Sequence, residues 1–329
     1  MNTQFLKEIR KLEASELPVL LKEIPDPPEG LYAYGNMDLL YEKGTKFLCV
    51  VGSRRYTNYG KELCVSLIKS LKGLPVVIVS GLALGIDGIA HRVAIDTDLR
   101  TIAIPGSGLH PDTLYPRSHY YLAEEIVEKG GLLLSEYEPS VRASPWTFPM
   151  RNRILAGMSH AVLIIEAEED SGTLITARLG LDYNRDIGAV PGSVLSENSM
   201  GTNELIRRGA VAITCKEDLH EFLGFEVDRN TPEGGGFRDP YYECSNEEKE
   251  VAEIIYEPKT RNEILELLKI PLSKLQVILS MLEVRGIIHE AYGNVALRYP
   301  PPSAILRKNR IQNSENNNGN EETNSRKEI

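Results

Sequence analysis

The sequence predicts an α/β fold: an extended Rossmann-like, doubly wound, mostly parallel sheet with a small C-terminal winged-helix domain. Three observations predict it. Between Phe47 and Phe225 short apolar runs recur that are apolar throughout, not alternating with polar residues. That is the pattern of strands buried on both faces of a parallel sheet. Between the runs lie segments of helical length, such as Tyr59–Leu71 with Leu63, Leu67 and Leu71 at i, i+4 and i+8. After a Gly/Pro-rich stretch the period changes, and residues 245–299 read as three helices and a short strand pair.

Taken in order, residues 1–45 hold a helical start, the stretch Ile24-Pro25-Asp26-Pro27-Pro28 and then Leu31-Tyr32-Ala33-Tyr34-Gly35, expected as an N-terminal arm or short strand on the main domain. The Rossmann-like domain is expected over 46–228. Its strands are predicted at Phe47–Val51, Val76–Val79, Thr101–Ile104, Leu132–Leu134, Ala161–Ile165, Ile187–Val190 and Ala210–Ile213. A linker over 229–244 contains Gly234-Gly235-Gly236. The winged-helix module, 245–299, has predicted helices at Glu247–Tyr256, Arg261–Leu268 and Leu272–Arg285 and a turn at Gly293. Residues 300–329, with Asn316-Asn317-Asn318-Gly319-Asn320, are expected to be a disordered tail.

Composition excludes several classes. Hydrophobic residues make up 42% and charged residues 26%, which is incompatible with a wholly disordered chain of 329 residues. No apolar run reaches the roughly 18 residues that span a bilayer, and the N-terminus lacks a basic leader, so a cytoplasmic protein without membrane contact is expected. Cys49, Cys64, Cys215 and Cys244 form no C-x-x-C or Cys/His cluster, and Cys49 and Cys64 read as core residues. No metal site, cofactor or disulfide framework is expected. Net charge is −10, and residues 46–222 carry 18 Lys+Arg against 21 Asp+Glu. A site for nucleic acid would therefore need a concentrated patch, for which Arg54, Arg55, Arg151 and Arg153 are the candidates.

Chemistry is expected at the strand ends, since ligands of open α/β sheets bind outside the carboxyl ends of the strands. The first strand runs into Gly52-Ser53-Arg54-Arg55 and a helix, where backbone N–H groups could face an anion and Arg54 a phosphate. A tight turn with solvated arginines is the alternative, and the motif alone leaves both open. The second strand runs into Ser80-Gly81-Leu82-Ala83-Leu84-Gly85, which is neither a Walker loop nor the dinucleotide fingerprint. His91, in the helix that follows, reads as a packed core histidine. Pro105-Gly106-Ser107-Gly108, Ser171-Gly172-Thr173 and Val190-Pro191-Gly192 close further strands. So many small residues at strand ends favour a phosphate-lined crevice over packing alone. The stretch Trp146-Thr147-Phe148-Pro149-Met150-Arg151-Asn152-Arg153 joins arginines to aromatics, the composition that holds single-stranded nucleic acid. Trp146 reads as core; for Phe148 core and base platform both stay open.

At these residues the sequence resembles the DprA/Smf (DNA-processing protein A) family. The stretches that carry the resemblance are V-G-S-R-R-Y-T-N-Y-G, S-G-L-A-L-G-I-D-G-I-A-H, F-P-M-R-N-R-I-L-A-G, S-G-T-L-I-T-A and A-V-P-G-S, in family order over roughly residues 18–225. The resemblance implies a Rossmann-like domain that binds single-stranded DNA, and a homodimer that protects incoming DNA and helps load the RecA recombinase in natural transformation. Carried over, it implies DNA contacts at Gly52, Ser53, Arg54, Ser80, Gly81, Gly85, Phe148, Arg151, Asn152 and Arg153. Arg55 and Ser171-Gly172-Thr173 join them as neighbours on the same sheet edge. A dimer surface is expected on the apolar set Leu219, Phe222, Leu223 and Phe225, with inward packing of the same set as the alternative. The third helix of the C-terminal module offers little basic charge beyond Lys274 and Arg285, and Glu247, Glu248, Glu250 and Glu253 lie nearby. That module reads as a protein-contact or regulatory element rather than a DNA reader.

The protein is expected to be non-enzymatic. The competing reading is a phosphoribohydrolase-like nucleotide-processing enzyme on the same kind of domain. Pro105-Gly106-Ser107-Gly108-Leu109-His110 breaks the P-G-G-x-G-T-x-x-E motif of those enzymes, and no paired carboxylates stand at catalytic spacing.

Overall fold

A computed structural model describes residues 8–227, 241, 244–291 and 293–298. The chain divides into two units, one ending at Gly235 and one beginning at Gly236. In the first, nine strands form one sheet in the order β1-β2-β6-β5-β4-β3-β7-β8-β9. They are β1 (Arg10–Glu13), β2 (Gly30–Gly35), β3 (Lys46–Val51), β4 (Val76–Ser80), β5 (Arg100–Ala103), β6 (Leu132–Ser135), β7 (Ala161–Ile164), β8 (Asp186–Ala189) and β9 (Val211–Ala212). The seven from β3 to β9 run parallel, and β2 and β1 extend the β6 edge antiparallel.

The unbroken apolar runs are explained by two cores. Along β3, Phe47, Cys49 and Val51 enter one core while Leu48 and Val50 enter the other. The first face is covered by the helix Thr147–Met158, through Ile154, Leu155 and Met158, and by Ala177 of the helix Gly172–Asp182. The second is covered by the helices Asn58–Ser70 and Ile86–Asp96, through Cys64, Leu67, Ile68, Ala90 and Ala94. With side chains alternating between faces, each strand residue needs an apolar partner, so the sequence runs apolar without alternation.

Residues 10–13 and 30–35, expected as an arm or short strand on the main domain, are strands of the sheet. Leu12, Leu31 and Ala33 are buried in its first core, and Tyr32 and Tyr34 pack on a smaller cluster across the sheet. Successive residues of Leu31-Tyr32-Ala33-Tyr34 point to opposite faces, which serves both sides of a strand lying between β1 and β6. Leu219 and Leu223, expected on a dimer surface, are buried, and Phe222 and Phe225 pack against the same second core. That apolar set closes the domain instead of presenting a surface.

The second unit holds the helices Asn246–Ile254, Arg261–Leu268 and Leu272–Val284 and a small antiparallel sheet of β10 (Lys259–Thr260), β12 (Asn294–Leu297) and β11 (Ile288–Ala291). Its first two helices start on reciprocal capping boxes, Ser245 with Glu248 and Thr260 with Glu263. Tyr241 and Cys244, expected in the linker, are buried in this unit's core beside Val251, Ile264, Leu275 and Leu282. The rest of the expected linker from 229, apart from those two residues, and the tail 300–329 lie outside the described residues.

Candidate nucleic-acid interface

The strand order places the site. From β3 the chain builds outward through β4, β5 and β6, then returns to lay β7 on the other side of β3. The helices that follow β3 and β7 consequently go to opposite faces, and a crevice opens between their loops at the carboxyl ends. It is a groove of about 630 Å³, lined among others by Gly52, Ser53, Arg54, Arg55, Phe148, Arg151, Asn152, Ser171, Gly172 and Thr173. Ten of the fourteen residues singled out by sequence meet there.

The wall after β3 is held by close backbone contacts. Gly52 lies against Ile86, whose Cγ1 would stand 2.7 Å from a β-carbon at that position. Gly85, at φ 87°, sits on the Ser53 carbonyl and the Arg54 backbone, where a β-carbon would come within 2.3 Å of the Ser53 oxygen. Only glycine combines that dihedral with that approach. The Ser53 hydroxyl accepts the Arg55 N–H at 3.0 Å. Opposite, Ser171 caps the helix Gly172–Asp182 by accepting from the Thr173 N–H, and the Thr173 hydroxyl donates to the Gly52 carbonyl at 3.2 Å. Asn152 reaches the same wall, 3.5 Å from the Gly172 carbonyl.

Arg54 and Arg55 are exposed, and neither has an ion-pair partner among the described residues. The Arg54 guanidinium lies over the half-buried Phe148 ring, 5.3 Å from its centroid. Phe148 itself rests on Gly106, where a β-carbon would be 2.6 Å from the ring, and tilts against Tyr115 at 5.7 Å. An exposed cation–π contact is worth about 0.5–1 kcal/mol. A charge-assisted hydrogen bond contributes about 1.5–3 kcal/mol, so the ring contact alone would not hold Arg54 against an anion.

The expected patch of four arginines is corrected to two. Arg151, 4% exposed, donates to the carbonyls of Gly81 (2.5 Å) and Ile104. Burial lowers its pKa and raises that of the buried Asp87 carboxyl beside it. Each opposes that trend in the other through its charge, and the Gly81 and Ala83 N–H groups further support the Asp87 carboxylate. Gly81 is glycine because a β-carbon there would lie 2.2 Å from Arg151 Nη1. Arg153 is 8% exposed and pairs with Asp26 (3.1 Å) and Glu136 (2.5 Å). Two residues apart on the helix Thr147–Met158, the two guanidiniums leave it on nearly opposite sides and bind different segments of the protein. Ser80, Gly81, Gly85 and Arg153 stand behind the groove; the Ser80 hydroxyl donates to the Val50 carbonyl at 2.6 Å.

The helix after β3 does not offer its N-terminus to a ligand. The buried Glu166 carboxylate accepts from the Thr57 N–H (2.9 Å) and the Thr57 hydroxyl (2.5 Å), at the cap of the helix Asn58–Ser70. An anion from the protein's own chain thus occupies the position that the helix dipole favours for a phosphate. The sequence signal, missed in the reading above, is Gly60 in the first helical turn, where a β-carbon would overlap that carboxylate at 2.3 Å. Trp146 is also corrected: it is 61% exposed, because the helix starts at Thr147 and the buried Thr147 takes the inward position. His91 is buried as expected, its Nδ1 2.7 Å from the Thr101 hydroxyl, and burial lowers its pKa to about 3.

In the second unit, Lys274 pairs with Glu247 at 2.5 Å, and Arg285 lies 3.8 Å from Glu248. Val277, Met281 and Val284 are exposed on the third helix, which leaves that surface largely apolar. Among the described residues no cluster of His, Cys, Asp and Glu could hold a metal, and no helix is long and apolar enough to cross a membrane.

Residues 8–224 match the family model of DNA recombination-mediator protein A. The chain belongs to that family. It is 42% identical over 212 residues to DNA processing protein DprA of Bacillus subtilis, a match covering 64% of this chain and 70% of that one. To protein Smf of Escherichia coli it is 39% identical over 63% of this chain and 54% of the relative, about half of the latter's length. The crystal structure of Streptococcus pneumoniae DprA superposes with a TM-score of 0.62 at 36% identity, covering 69% of this chain and 77% of that one. DNA processing protein A of Helicobacter pylori, described for its single-stranded DNA binding mode, superposes at 0.59 and 33% identity, covering 66% and 95%.

Proposed function

We propose that this chain binds single-stranded DNA in the β3/β7 groove, without catalysis, as a homodimer that protects incoming DNA and helps load the RecA recombinase during natural transformation. The observation that carries the reading is the exposed pair Arg54 and Arg55, without ion-pair partners among the described residues and with Arg54 over the Phe148 ring, in a crevice where Glu166 already fills the N-terminus of the helix Asn58–Ser70. Arginines that hold a backbone and a ring that stacks on a base give affinity without reading base edges. The single-stranded DNA binding mode described for the H. pylori relative supports it. The buried carboxylates nearest the groove, Asp87 and Glu166, both accept backbone hydrogen bonds, which favours binding over the phosphoribohydrolase-like alternative. Since Leu219 and Leu223 pack inward, a dimer would use another surface of this cytoplasmic protein.

The test is a comparison of single- and double-stranded oligonucleotides of one length by gel shift with purified protein. The single strand is expected to bind more tightly, and affinity to fall as salt rises because phosphate contacts release counterions. Equal or tighter binding of duplex, or a flat salt response, would overturn the reading.

A further inference from the structure

We propose that Trp146 is a second base-stacking platform, and that a strand held in the groove continues past Phe148 along the carboxyl ends of β5 and β6 onto the indole. The inference rests on the single-strand reading above and extends it to a residue outside the groove.

Trp146 is held in place and left open at once. Thr147 beside it is buried, and its hydroxyl donates to the Gly106 carbonyl at 2.6 Å, while the Tyr137 hydroxyl donates to the Thr147 carbonyl at 3.3 Å. Its neighbours Pro145, Phe148 and Pro149 line the groove. Tyr137 meets the indole edge-on, with centroids 5.7 Å apart and planes at 84°. Such a contact covers one face at most, consistent with the 61% exposure. A rigid aromatic of this size gains strongly from a flat partner, and a nucleobase is one.

Its place in the fold supplies the direction. Phe148 rests on Gly106, just past the end of β5, and Tyr137 follows the end of β6, the next strand. Arg54 and Arg55 follow β3, three strand positions from β6. At about 4.8 Å per strand that path is roughly 14 Å, the length of a few nucleotides. Charge adds little at the far end: exposed Arg142 and exposed Glu138 lie on one loop. Stacking, which every base can provide, would hold the strand there.

The chain contains one tryptophan, so its emission reports on Trp146 alone. The full chain would be titrated with a labelled oligothymidylate of about 12 nucleotides, within the usual site sizes for such grooves, reading label anisotropy and tryptophan emission together. The emission is expected to change with the same midpoint as the anisotropy. Trp146→Ala should weaken binding about tenfold, or about 1.4 kcal/mol, while Trp146→Phe, which keeps a ring, should stay close to the parent. An anisotropy rise with unchanged emission, or unchanged affinity in folded Trp146→Ala, would overturn the inference and leave the groove reading standing. No anisotropy rise would overturn both. If Trp146→Ala does not fold, the titration of the parent protein decides.

Discussion

Two pairs of arginines at this site look alike in sequence and differ in everything that decides their role. Arg54 and Arg55 leave the end of β3 into solvent, without ion pairs among the described residues. Arg151 and Arg153 lie in the middle of a helix, nearly sealed, and bind carbonyls and carboxylates of the protein. Formal charge is the same in both pairs. A buried guanidinium cannot leave its partners without stranding them, whereas an exposed one has only water and a ring face to give up. The lesson is that a basic motif identifies a neighbourhood, and burial decides which of its charges can meet a phosphate.

The comparison breaks most visibly at Arg151. Arg151→Ala strands the buried Gly81 and Ile104 carbonyls, each unsatisfied acceptor costing about 1–3 kcal/mol, and removes a charge that favours the buried Asp87 carboxylate. Urea denaturation should show that loss. Unchanged stability with lost DNA affinity would move Arg151 into the other class. Arg54→Ala should do the reverse, weakening single-strand affinity by about 1.5–3 kcal/mol while stability stays within about 0.5 kcal/mol.

Acid tests the interior side of the same contrast through His91. Buried His91 has its pKa lowered from 6.5 to about 3, by burial first and by His119 and Arg151 next. Below pH 6.5 the unfolded chain takes up a proton that the folded chain refuses, so this contribution is present above 6.5 and falls as pH drops towards 3. Between pH 6.5 and 5 the loss is at most about 2 kcal/mol. Thermal melts of the parent and His91→Asn should therefore converge on acidification; parallel curves would contradict the assignment. The smallest effect is expected from deleting residues 229–329. The removed unit exposes Glu247, Glu250 and Glu263 and ties Lys274 to Glu247, so affinity should change by less than about 1.4 kcal/mol. Loss of binding by a folded truncated protein would give the third helix the DNA-reading role.

The sheet was legible because strands buried on both faces are written as continuous apolar runs, and all seven parallel strands lie at the expected runs. Strands β1 and β2 were harder to read, since β1 pairs with β2 and β2 with β6, about a hundred residues away. At the site, the glycines announced that backbones and side chains crowd the strand ends, but not which ones. Gly81 faces Arg151, Gly106 faces Phe148 and Gly60 faces Glu166, all contacts between distant segments. The orientation of Arg151 and Arg153 was illegible for the same reason: their partners Gly81, Asp26 and Glu136 come from separate parts of the chain. Trp146 was misread because its fate turned on where the helix begins, a matter of one residue.

The central claim, that Arg54 and Arg55 are the cations available to a DNA backbone, is tested most directly by the salt dependence of single-strand binding. Log affinity against log salt should be measured for the parent and for Arg54→Ala/Arg55→Ala. Each phosphate contact on a single strand contributes about 0.7 to the slope, so removing two should flatten it by about 1.4. An unchanged slope in the double variant would contradict the account, because the phosphates would then be held by other residues.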